Sequence, residues 1–183
     1  WFQECVKYQR QRIQAWYKFG KPTSFIYSHS KLGFGNIAFA YSSVFLMACL
    51  TSSVPLLHMY SENGTPFHKL FDTHAWQLPS QAFKKAIYEA KSSQRTPLRI
   101  DLFNALDMEK FLCSDLNLSP GYWEISSSQL FAKLFLINRN FETTVTTETL
   151  EQTINFLFTP SPTIIHKSKA ITQNQQYLGV QIT

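Results

Sequence analysis

The sequence predicts an α/β domain, a Rossmann-like parallel sheet flanked by helices. Three observations carry that prediction. Short β-rich runs alternate with longer helical stretches along the 183 residues, and this order builds parallel sheets through crossover connections. A glycine turn, Gly33-Phe34-Gly35-Asn36, separates the first β-rich run from a long aliphatic stretch. Hydrophobic residues make up 44% of the chain and charged residues 16%, enough apolar surface for one sizeable core at this length. The whole chain, 1–183, therefore reads as one domain.

The elements follow in order. Residues 2–19 carry no Gly or Pro and place Val6, Ile13, Trp16 and Tyr17 roughly on one side of a helix, which Gly20 and Pro22 stop. Phe25 to Ser28 reads as a strand. After the glycine turn, Ile37 to Leu50 is a helix apolar on most sides, with Ala38, Tyr41, Phe45 and Ala48 at helical spacing. Val54 to Met59 is a short strand, and Tyr60 to Thr65 a turn. A helix is expected near Gln81 to Lys91, a third strand at Pro97 to Leu102 and a fourth at Tyr122 to Ile125. Ser126 to Ile137 has helical spacing, and Thr147 to Phe158 reads as a helix capped by Thr147 and closed by Pro160. Thr163 to Gln176 is expected to be helical and Tyr177 to Ile182 a strand.

Composition excludes several function classes. The formal charge of +5 is modest and spread out, densest at Lys7, Arg10, Arg12, Lys18 and Lys21. With no nucleic-acid motif beside it, this reads as a solvated helix face. Cys5, Cys49 and Cys113 form no CxxC pair, and His58, His68, His74 and His166 share no ligand spacing, so no metal is expected. Cys49 reads as a small buried hydrophobe, while Cys5 and Cys113 remain available to pair in an oxidising compartment. Asn63-Gly64-Thr65 and Asn117-Leu118-Ser119 are glycosylation sequons, the second followed by Pro120; they matter only in a secretory protein. The first residue is Trp1, as in an excised piece, and the longest apolar run is too short to span a bilayer. Any membrane anchor is therefore expected outside this chain.

The glycine turn carries the chemistry. Glycines let backbone N–H groups approach a ligand with no Cβ in the way. The positive end of the following helix then faces an anion, such as the diphosphate of a nucleotide sugar. The bland alternative is a tight strand–helix turn with Asn36 as N-cap. A dinucleotide fingerprint fits less well: Ala38 stands where its third glycine belongs, and no acidic residue is well placed for a ribose. His29, beside the turn, reads as a structural histidine. Asp72 and Asp101 are the best-placed carboxylates for a general base, with a cap or an ion pair as the competing role.

Five blocks in sequence order resemble the plant-type xyloglucan fucosyltransferase family. Gly33-Phe34-Gly35-Asn36, followed by Ala40 to Leu46 and Leu50-Thr51, is similar to its GxGN turn and small-residue helix. Leu70-Phe71-Asp72, with Trp76 and Leu78-Pro79, resembles its Leu-Phe-Cys and Ser-Trp-Leu-Leu-Pro segments. Gln129-Leu130-Phe131 with Leu134-Phe135-Leu136 and Asn138, then Phe156-Leu157-Phe158 with Pro160-Ser161, resemble two further blocks. Gly179-Val180-Gln181-Ile182 resembles Gly-Ile-Gln-Ile-Arg. The resemblance implies the amino-terminal, acceptor-side half of a GT-B glycosyltransferase, with the donor-binding domain beginning near 177 and mostly absent. It implies transfer of fucose from GDP-fucose to a glycan galactose, inverting and metal-independent, with no cofactor beyond the donor substrate. It also implies a lumenal Golgi domain held by a membrane helix outside this chain. The substrate-binding residues it implies are Gly33, Phe34, Gly35, Asn36, Gln181 and Thr183.

Two positions depart from the family pattern. Ile37 stands where the family has Arg or Gln, and Thr183 where it has the arginine expected to clamp the donor diphosphate. An arginine fork makes two charge-assisted bonds to a phosphate where threonine offers one neutral hydroxyl. Without it, the expected loss is on the order of a hundredfold in rate. These departures keep two alternatives in view: a catalytically impaired glycan-binding pseudoenzyme, and an unrelated nucleotide-binding α/β domain.

Overall fold

Among the described residues, four parallel strands organise the fold in the order β2-β1-β4-β3: β1 (Ser24–Tyr27), β2 (Val54–Pro55), β3 (Leu98–Asp101) and β4 (Gly121–Ser126). The computed structural model describes residues 2–28, 34–57, 69–73, 76, 78, 80–92, 98–126, 131–142 and 144–172. The helices are α1 (Phe2–Phe19), α2 (Phe34–Leu50), α3 (Ser80–Ser92), α4 (Ala105–Cys113), α5 (Thr147–Leu157) and α6 (Pro162–Thr172), with a 3-10 helix over Phe131–Leu136. The expected parallel α/β architecture is therefore present. Tyr60–Thr65 and Tyr177–Ile182 lie outside the described residues.

Side-chain alternation along β1 divides the core into two layers. Ile26 points to one face and joins α2, α5 and the 3-10 helix. Phe25 and Tyr27 point to the other and join α3 and the later half of α1. The register repeats this split in β4, where Tyr122 pairs with Phe25 and Trp123 with Ile26. Tyr122 stacks on Phe25 at 5.1 Å, and its hydroxyl donates to Glu89 of α3 at 2.7 Å.

The helix α2 is buried almost all round: Val44 to Ala48 are at most 1% exposed. Its hydroxyls are satisfied locally, Ser42 donating to the Ala38 carbonyl and Ser43 to the Phe39 carbonyl. Ser43 Oγ also accepts the Ala132 N–H at 3.1 Å and so ties α2 to the 3-10 helix.

Helix α1 reaches both layers. Cys5 and Val6 join the α2 side, while Ile13 and Trp16 join the α3 side. It ends as expected at Gly20, whose φ of +64° suits glycine and whose N–H reaches the Trp16 carbonyl. Lys85 of α3 lies 5.3 Å over the Trp16 ring.

The cysteine expectation is corrected. Cys5 is bonded to Cys49, and Cys113 is free and exposed at the end of α4. Packing of α1 on α2 brings the first two Cα atoms to 5.6 Å, within disulfide reach. Gln9 Nε2 donates to Cys5 Sγ at 3.0 Å and Cys49 Sγ at 3.5 Å.

Further corrections are local. Helix α5 is capped by Thr146, not Thr147: Thr146 Oγ1 accepts the Thr149 N–H, and the Thr149 hydroxyl accepts the Thr146 N–H. The described part of 126–137 forms a strand end and a 3-10 helix rather than one α-helix. Helix α4, absent from the sequence reading, is started by Asn104, whose side chain accepts the Leu106 N–H at 2.9 Å.

Candidate functional site

Ligands of parallel sheets gather at the carboxyl ends of the strands. Here that edge is formed by Tyr27 at the end of β1 and Ser28 after it, Asp101 of β3 and Glu124 to Ser126 of β4. The chain leaves β1 toward α2, so the start of α2 belongs to this edge.

Helix α2 begins at Phe34, making Gly35 and Asn36 its second and third residues. Asn36 is inside the helix and so is not its N-cap. The first N–H groups of any helix lack intrahelical partners, which among the residues of α2 leaves the amides of 34–36 outside the helix ladder. Gly35 and Asn36 are exposed. A Cβ built on Gly35 would meet nothing within 4 Å, and its φ is not in the left-handed region. Neither packing nor backbone conformation therefore requires glycine at 35, although Ala would favour the helix by roughly 0.5–1 kcal/mol. The missing side chain leaves open space beside the first turn of α2.

Ile37 is only 5% exposed and packs into the α2-side core. The position where the family carries a polar residue is here a core position. Of the other implied site residues, only the backbone of Phe34 is described, and Gly33, Gln181 and Thr183 lie outside the described residues. Of the implied site, Gly35 and Asn36 are thus placed together on one helical turn.

The sheet edge adds groups that the sequence reading did not single out. Tyr27, Glu124 and Arg99 form one row across β1, β4 and β3. Burial pushes the Tyr27 phenol up from its ordinary range, and the charge of Glu124 adds to the shift. Arg99 Nη2 donates to Ser126 Oγ at 3.1 Å. Ser28, directly after β1, is buried, and its hydroxyl has no hydrogen-bond partner among the described residues. Strand register was the missing signal, because the row exists only once β4 is placed between β1 and β3.

The two candidate carboxylates have different settings. Asp101 accepts the Phe103 N–H at 3.1 Å, and its own N–H donates to Asp107. It shapes the turn leading to α4, whose cap is Asn104 rather than Asp101. The N–H of Asp72 donates to the Thr159 carbonyl at 2.8 Å. There a cavity of about 480 Å³ lies between residues 69–73 and the start of α6.

Four of the motif blocks meet in space. Phe71 and Phe158 pack edge to face at 5.3 Å, and Phe71 bridges to Pro160. Phe45 of α2 meets Phe156 of α5 at 5.5 Å. Asn138 is fully buried, donating to the Phe111 and Ser114 carbonyls and accepting the Asn140 N–H. These block residues build the scaffold around α2.

No family model and no curated protein matches the sequence. Among solved structures, the chain is similar to a mutant of Arabidopsis thaliana FUT1 in complex with GDP. The TM-score is 0.56 at 17% identity, covering 89% of this chain and 42% of that one. The likeness is one of fold, and the chain spans less than half the length of that structure.

Proposed function

We propose that this chain is the acceptor-side half of a fucosyltransferase-like GT-B enzyme that transfers fucose from GDP-fucose to a glycan galactose. The observation carrying this reading is the start of α2: an exposed Gly35-Asn36 step, open in front of Gly35, at the carboxyl edge of a parallel sheet. The fold likeness to a GDP-bound protein supports it. In the reaction, the acceptor hydroxyl attacks the anomeric carbon of fucose and gives up its proton to a general base, and the bond to the diphosphate breaks with inversion. Negative charge then grows on the leaving GDP. Preorganised N–H donors and a helix dipole aimed at that charge lower the barrier with no metal required. Gly35 keeps the approach clear, and Asn36 offers an amide to the sugar or the diphosphate. Gly33, Phe34, Gln181 and Thr183 complete the proposed binding set, most of the donor being held by a second domain. The proposed location is the Golgi lumen.

Fucose release and transfer by the full-length protein, supplied with GDP-fucose and galactose-bearing glycans, test the proposal. Transfer that depends on both substrates supports it. Glycan binding without turnover would favour the pseudoenzyme reading, to which the burial of Ile37 lends weight.

A further inference from the structure

We propose that Asn117 is an N-glycosylation site. The segment between α4 and β4 alternates strictly: Leu116 is buried, Asn117 exposed, Leu118 half-buried against the core, Ser119 exposed. The acceptor amide of Asn117 and the hydroxyl of Ser119, the two groups that define an Asn-Leu-Ser sequon, therefore both face solvent.

The segment is fastened from its inner side. The Leu118 carbonyl accepts the Ser24 hydroxyl at 3.0 Å, and the Ser119 carbonyl accepts the Trp123 indole N–H at 2.9 Å. A glycan on Asn117 leaves each of these bonds in place. The adjoining surface cavity of about 360 Å³ is lined by Arg99, Asp107, Lys110 and Asp115 together with apolar Ile100 and Leu118, giving the innermost sugar a mixed wall.

The second observation is the Cys5–Cys49 disulfide. Disulfides form and persist in oxidising compartments, and N-glycans are added in the secretory one. The donor is a lipid diphosphate-linked oligosaccharide. Asn117 Nδ2 forms a bond to the anomeric carbon of its first sugar, the bond from that carbon to the diphosphate oxygen breaks, and the amide gives up one proton. The lipid diphosphate leaves. No step draws on the proposed fucosyl transfer.

The test is expression of the chain behind a secretory signal in eukaryotic cells, followed by site mapping of secreted and cell-retained protein. Glycosidase release in heavy-oxygen water converts a glycosylated Asn117 to labelled Asp, and peptide mass reads the site separately from Asn63. The expected result is label at Asn117, lost in Asn117→Gln and in Ser119→Ala, and raised in Ser119→Thr. Pro120 keeps the wild-type occupancy partial. Unlabelled Asn117 in both fractions of the wild type and of Ser119→Thr, with Cys5–Cys49 formed, would overturn the proposal.

Discussion

Single residues here divide between scaffold and open edge, and each kind answers differently to substitution. Asn138 belongs to the scaffold. Removing its amide orphans the Phe111 and Ser114 carbonyls, at about 1–3 kcal/mol for each buried group. Asn138→Ala is therefore expected to lower the unfolding free energy by more than ~2 kcal/mol in a denaturant titration. Gly35 belongs to the open edge. Gly35→Ala is expected to leave the fold intact, or slightly more stable, while weakening GDP binding measured by calorimetry. Tyr122 reports on pH. Burial, the hydrogen bond to Glu89 and the Glu89 charge together raise its phenol above its ordinary value of 10.0. The folded state thus holds the phenol proton more tightly than the unfolded chain does. The corresponding stability is complete below pH ~10 and is lost as pH rises beyond it. Tyr122→Phe should flatten the fall of thermal midpoint above that pH.

At the scale of elements, the long periodic segments were legible and the short, capped ones were not. Helix α1 announces its length by the absence of breakers and its end by Gly20. Helix α2 announces its burial by apolar residues on nearly every side. Helix α4 has only nine residues and buries Phe111 alone, so no hydrophobic period marks it. Its signal was the Asn104 cap with Asp107 in the first turn. Two adjacent threonines, Thr146 and Thr147, offered the same cap chemistry to α5, and the reciprocal partner Thr149 decides for Thr146. Thr146→Ala should cost about 1 kcal/mol, measurable by thermal unfolding. The disulfide was illegible because cysteine spacing says nothing of which helices touch. It closes a loop across 44 positions, so replacing both Cys5 and Cys49 by Ser should cost about 2–4 kcal/mol.

For the whole molecule, the alternation of strands and helices identified a parallel α/β sheet, but not its order. Local pattern cannot say that β4 inserts between β1 and β3, and that insertion creates the row of Tyr27, Glu124 and Arg99. The sequence reading set the start of α2 too late: Phe34, Gly35 and Asn36 lie inside the helix rather than in a turn before Ile37. The burial of Ile37 was not legible, since one position of a helix takes its direction from the layer it packs against. The central claim is that the first turn of α2 receives the diphosphate of GDP. Amide hydrogen exchange of the full-length protein with and without GDP tests it most directly. The account predicts slowed exchange at residues 34–36 with GDP and none with guanosine. Bound GDP that leaves those amides unprotected would contradict it.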